Sequence, residues 1–341
     1  MLRHGGGGVA TKFRGLEMSG LKHCLLVLVL QIIPLAALSQ DYPSRQVRII
    51  APYTPGGAVD VMGRLLAERL TKVWRQPVVV ENKPGAGTII GAELVARAAP
   101  DGYTLLITGD TTITSNPHTF AKLPYDPLTD FAPITNLVWG LQMMVAHPSV
   151  SANTLQELVA LAKRKPGMLN YGSFGTGSPA QLVFESLGTQ TGARVTHVPY
   201  KGLAPVIQAV AVGEVQLTLS GVPFVRGFVQ AGKLKPIAMA AAVRSPLMPE
   251  VPTLRESGFP NIDPHTWVGL LATGGTSRSV IKGIYSDVRT IFTDPEFQDR
   301  QIVQKGFASA ISASPEEFAA YIRSDLVYKA QLIKSAGIRQ E

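Results

Sequence analysis

The chain is short of cysteine, of aromatic residues and of charge, and each shortage removes a class of protein. One cysteine, Cys24, stands among 341 residues. It lies inside an N-terminal apolar run, so the remainder has no thiol for a disulfide, a nucleophile or a thiolate metal site. Aromatic residues make up 7% and charged residues 16%. The basic residues are scattered and no aromatics interleave with them, unlike a nucleic-acid groove. Beyond residue 38 no apolar run is long enough for a spanning helix. His118, His147, His197 and His265 have neither metal-ligand spacing nor a local carboxylate partner, so no metal is expected. Carboxylate pairs, nucleophile–base sets and a phosphate-loop lysine are missing too, so neither a cofactor nor a catalytic role is expected.

What is present begins with a leader. Lys22 and His23 precede the apolar run Cys24 to Leu38, broken by Gln31 and Pro34, and Ala37-Leu38-Ser39 supplies small residues for cleavage. Residues 1–39 read as a secretory signal, and the glycine-rich stretch before Met18 is either part of it or a start placed early. The whole chain carries a net +8. Arg3, Lys12, Arg14 and Lys22 against Glu17 account for +3 of that, leaving +5 on an exported, soluble remainder. A modest positive field favours anionic ligands.

The most informative segment runs from Arg48 to Asp60. Val47 to Ala51 is an apolar strand; Pro55-Gly56-Gly57 turns it into a helix with Val59, Met62, Leu66, Leu70 and Val73 at helical spacing. Glycines bring bare backbone close to a ligand, and the first amides of a helix have no internal partner. Such a corner holds a phosphate or carboxylate. Asp60, one turn in, suits the helix dipole; it either orders the turn or receives a ligand ammonium or hydroxyl.

Strand and helix then alternate. Strands are expected over 77–81, 103–108, 195–199, 215–219, 236–240 and 267–272, with helices entering after most of them; 137–146 reads as one strand crossing to a second lobe, and 109–133 as mostly turn. Asn153-Thr154 and Ser314 with Glu317 are cap signals for helices starting at Leu155 and Pro315. The pattern predicts an α/β class with two lobes and a cleft outside the carboxyl ends of their strands. Residues 40–143 with 263–341 are expected to form one lobe and 144–262 the other.

The loop Gly172 to Ser178 (GSFGTGS) sits at such a strand end. It lacks the glycine needed before a nucleophile elbow, since Tyr171 stands there. Gly175, Gly177 and Ala180 fit a dinucleotide fingerprint, but the acidic residue for the ribose is missing and Lys201 stands near its place. A nucleotide-dependent reductase is therefore the rival reading. As an anion cradle the loop offers amides and the hydroxyls of Ser173, Thr176 and Ser178; alternatively Ser178 and Gln181 only cap the next helix. Lys201, in the exit turn Tyr200-Lys201-Gly202, is either a ligand contact or simply solvated.

Several ordered segments resemble the periplasmic substrate-binding proteins of tripartite tricarboxylate transporters, the Bug family. They are PGGAVD at 55–60, VENKPGAG at 80–87, APDGYTLL at 99–106, LPYDP at 123–127 with DFAP at 130–133, VPYKG at 198–202, VPT at 251–253 with ESG at 256–258, and SPEEF at 314–318. The resemblance runs from about Tyr42 to the C-terminus. It implies a two-lobed periplasmic-binding-protein fold (type II), each lobe a mostly parallel sheet flanked by helices, the lobes joined by crossover strands. It implies a monomeric periplasmic protein that takes a small carboxylate and delivers it to membrane transport subunits; a sensor as partner stays open. The ligand contacts it implies are Tyr53, Thr54, Gly56, Gly57 and Asp60 in one loop, and Ser173, Phe174, Gly175, Thr176, Ser178 and Gln181 in another. Gly87, Thr88, Thr108, Asp110, Tyr200, Lys201 and Ser220 would complete the cleft. Three departures bear on the ligand. Gln181 stands where many members have histidine, and Ser220 or Gly221 where an aspartate is common. Thr273 to Ser277 reads TGGTS where the family usually has Pro-x-Gly-Thr-Pro.

Overall fold

In the computed structural model, residues 5–10, 42–262 and 266–340 are described, and the rest of the leader, its cleavage site and His265 fall outside them. Residues 1–41 separate as a unit of their own, of which the described six carry no regular element; 42–341 form the second unit. No helix among the described residues is long and apolar enough to cross a membrane.

The strand Val47–Ala51 (β1) has burial on both faces, as a near-continuous apolar run in a covered sheet should. It pairs in parallel with Val78–Asn82 (β2) and Thr104–Gly109 (β3). Side chains alternate across it. Ile49 packs with Met62, Leu66 and Leu70 of helix α1 (Ala58–Trp74), and Ile50 with Ala92 and Val95 of helix α2 (Ile89–Ala96). The sheet is completed by Phe131–Gly140 (β4), Thr266–Thr273 (β10) and Phe307–Ser309 (β11), in the order β11-β4-β10-β3-β1-β2. Helices α7 (Arg278–Thr293) and α8 (Pro315–Ser335) cover its two faces.

A second sheet has the order β7-β6-β8-β5-β9. Its strands are Gln142–Ala146 (β5), Asn170–Ser173 (β6), Thr196–Pro199 (β7), Leu217–Gly221 (β8) and Lys235–Ala240 (β9). Helices α3 (Leu155–Arg164) and α4 (Pro179–Thr191) pack on one face; α5 (Leu203–Ala211) and α6 (Val222–Gln230) pack on the other.

The expected α/β, two-lobed arrangement is present, with one refinement: both sheets are mixed. β1, β2 and β3 are parallel, as are β6, β7 and β8, but β4, β10 and β11 pair antiparallel, and so do β5 with β8 and β9. β4 leaves the first sheet and β10 returns to it, so the two must run in opposite directions. The single strand expected over 137–146 is two strands parted at Leu141, one in each sheet. Gly140 is required there because a Cβ would run into the Thr266 hydroxyl of the returning strand.

The stretch read as mostly turn after Gly109 holds a π-helical turn, Thr111–Ser115, and a short helix, Asn116–Thr119. Its threonines hid it. Thr114 and Thr119 donate to the carbonyls of Asp110 and Ser115 four residues back, a geometry that β-branched runs do not advertise. The turns over 295–303 and the short β11 were likewise not anticipated.

Candidate functional site

Five helices begin at the wall of one cavity of about 570 Å³, which opens at the carboxyl ends of the parallel strands. Gly57, Thr88, Gly202 and Gly221, the residues before α1, α2, α5 and α6, line it, as does Pro179, the first residue of α4. None of these five starts has a side-chain cap among the described residues. By contrast α3, α7 and α8 start elsewhere and are capped: Thr154 accepts from the Glu157 amide, Ser277 from Val280 and Ser314 from Glu317. Not every first amide is open, since Ile89 donates to the Ala86 carbonyl, Val222 donates to the Leu141 carbonyl at 3.1 Å, and Pro179 and Pro223 have none; each start still carries a partial positive charge at its tip. Anions suit such ends.

Of the first corner, Tyr53, Thr54 and Gly57 line the cavity. Gly56 and Asp60 do not; the Gly56 amide donates to Asp60 Oδ2 at 3.0 Å and shapes the turn from behind. Arg64 donates from Nε to the same oxygen at 3.1 Å, with Nη2 2.9 Å from Oδ1. Burial pushes the Asp60 carboxyl up, but the bonds from Arg64 and Gly56 outweigh it and hold the group below the usual aspartate range. Asn82 Nδ2 donates to the Tyr53 carbonyl at 3.1 Å. The Tyr53 hydroxyl is pushed up to about 12 by burial, so it stays protonated.

Gly87 and Thr88 also line the cavity, on a loop where Gly85, Ala86, Gly87 and Thr88 all have positive φ. A threonine at φ 80° is strained and persists only if its surroundings hold it. They do: Thr108 Oγ1 donates to Thr112 Oγ1 at 2.6 Å, and Thr112 donates to Thr88 Oγ1 at 2.9 Å. Thr108 is thus a buttress behind the wall rather than part of it. Asp110 lines the wall, with Oδ2 2.8 Å from Nζ of Lys329, a lysine with no exposed surface. Burial pushes the Asp110 carboxyl up, the Lys329 ammonium opposes this, and the charge of Asp325 adds to it.

In the loop after β6, Phe174 and Gly175 line the cavity, and the Phe174 ring meets Tyr53 edge-on with centroids 6.1 Å apart. Ser173, Thr176, Ser178 and Gln181 lie behind it. Ser173 Oγ accepts from the Gly175 amide at 3.0 Å and is 2.6 Å from His197 Nε2. Gln181 Oε1 accepts from the Gly177 amide at 2.8 Å, while the buried Ser178 hydroxyl has no partner among the described residues. The Ser178 amide donates to the Gly175 carbonyl at 3.3 Å, so three loop amides are spent on the loop itself. Tyr200 and Lys201 line the wall; Ser220 does not, because its neighbours Leu219 and Gly221 take the cavity-facing positions on the alternating strand.

The crossover segments supply what the sequence reading missed: Gly140, Gln142, Thr266, Trp267 and Val268 line the cavity, with Phe224 of α6. Nothing in their local pattern marks them. Lys329 did leave a signal, since Phe318, Ile322, Asp325, Lys329 and Leu332 form the buried stripe of α8 and two of the five are charged.

A match to the family described as Tripartite tricarboxylate transporter family receptor covers residues 62–338. Protein BugT of Bordetella pertussis is 30% identical over 306 residues, 89% of this chain and 93% of its own. The structure of R. palustris Rpa4515 with adipate superposes with a TM-score of 0.84 at 29% identity, over 88% of this chain and all of the other. MatC from Rhodopseudomonas palustris with bound malate gives 0.79 at 27%, over 86% of this chain and all of the other. The chain belongs to the tripartite tricarboxylate transporter receptors, the Bug family of periplasmic solute-binding proteins.

Proposed function

We propose that the protein captures a small organic carboxylate in the cavity between its lobes and hands it to the membrane subunits of a tripartite transporter in the periplasm. The observation that carries this is the set of five uncapped helix starts around one cavity, on a chain that caps its other long helices. Helix ends of this kind each favour a negative charge by about 0.3–1 kcal/mol, and they act together on a ligand enclosed by both lobes. Lys201 adds a full positive charge at the wall. The adipate and malate of the similar structures are of the expected ligand class. The contacts proposed are the amides of the Gly57 corner and the Thr88 loop, with Tyr53, Thr54 and Lys201. Capture needs no chemical step, and the ligand must bind the closed lobes better than the open ones.

The test is a thermal-shift and calorimetric screen of carboxylates against their uncharged amides. Carboxylates should raise the melting temperature and amides should not. If sugars or cationic amino acids stabilise the protein while no carboxylate does, the reading fails.

A further inference from the structure

The charge and the apolar surface of the cavity together say more about the ligand than that it is an anion. Among the described residues, Lys201 and Asp110 are the two charged side chains of the wall. Asp110 is ion-paired from behind by Lys329, and Asp325 belongs to the same buried cluster, its Oδ2 accepting from Trp267 Nε1 at 2.9 Å. Lys201 and Lys329 together carry two ammonium groups against the two carboxyl groups of Asp110 and Asp325, so the described side chains hold no surplus positive charge for a doubly charged ligand. Burying an anionic group without a counter-charge is costly, so the helix ends are left to neutralise one carboxylate.

The remaining wall is apolar and broad. Tyr53, Phe174, Leu203 and Phe224, all half-buried, present rings and a branched side chain to the space. A volume of about 570 Å³ falls within the roughly 300–1,000 Å³ of pockets that enclose drug-sized ligands. A four-carbon dicarboxylate would leave most of that apolar wall in contact with water and would place its second charge against it. An apolar ring would cover the wall, and its burial is favourable in proportion to the area removed from water.

We propose that the preferred ligand is a monocarboxylate on an apolar ring, the carboxylate at the helix starts and the ring against Phe174, Leu203 and Phe224; this rests on the carboxylate reading above. The experiment is isothermal calorimetry of the full mature protein with benzoate, phenylacetate, succinate and benzamide. A ring monocarboxylate binds at least about tenfold more tightly than succinate, because it adds buried apolar area without a second charge. Phe224→Ala and, separately, Leu203→Ala each weaken the ring acid several-fold and weaken succinate by less. The second variant guards against a fold defect in the first, since Phe224 also packs near Phe307, with ring centroids 6.4 Å apart. Succinate binding more tightly than both ring acids overturns this inference and leaves the carboxylate reading standing. Benzamide binding as well as benzoate overturns the carboxylate reading and takes the inference with it; a failure of both ring acids to bind overturns this inference alone.

Discussion

Two sets of helices in this molecule end their first turns differently. At the periphery, α3, α7 and α8 begin at Thr154, Ser277 and Ser314, whose hydroxyls satisfy the amides of the first turn. At the cavity, α1, α5 and α6 begin at glycine and α2 at a strained threonine, and no side chain caps them. A cap residue would stabilise each helix, so its absence around one cavity gives up local stability. Side-chain caps are absent where a ligand can supply the acceptor and present where only solvent competes.

The largest effect expected concerns the wall those open starts share. Lys329→Met leaves Asp110 and Asp325 buried without their ammonium, and removal of one partner from a buried pair costs roughly 3–5 kcal/mol. Urea unfolding should show that loss, and unchanged stability would mean that the wall charge is neutralised some other way. Next, Gly57→Asp converts an open start into a capped one. The position has ordinary φ and open space for a Cβ, so the side chain fits. The variant should gain a few tenths of a kcal/mol from the cap while carboxylate affinity falls at least about tenfold from occupied amides and like charge. Calorimetry alongside thermal melting reads both, and full retention of affinity would break the comparison at its centre.

The converse change is smaller. Ser314→Ala at a peripheral start should cost about 1 kcal/mol of stability and leave ligand affinity unchanged. The smallest effect is acid-side. Asp60, held below its usual 3.8, contributes stability that is complete above that value and is lost as pH falls through its lower folded value. The urea midpoint of the wild type should therefore drop more steeply below about pH 4 than that of Asp60→Asn. Equal slopes would mean that the bond to the Gly56 amide does not hold the corner.

Much of the architecture was legible because periodicity reports burial. Val47 to Ala51 and the stripe Met62, Leu66, Leu70 announced a strand and the helix that covers it, and both lie where expected. Glycine spacing announced the corners, because positive φ and close approach leave few other choices; Gly202, at φ 129°, has no room for a Cβ beside the Thr54 hydroxyl of the facing loop. The site was legible only loop by loop. Ser173, Gln181 and Asp60 looked like ligand donors, yet their oxygens accept amides of their own turns. A polar side chain near a glycine turn reads the same from the sequence whether it faces the ligand or the backbone.

The order of residues alone determined the alternation of strand and helix, the glycine corners and the family, because these depend on contacts between near neighbours and on backbone freedom at single positions. Tertiary structure alone decided that five helix starts share one cavity, that Trp267 and Gln142 from the crossovers join its wall, and that Lys329 sits behind Asp110. Those juxtapositions bring together residues as far as 219 positions apart. They are fixed by how two mixed sheets cross and pack, and no local pattern encodes that.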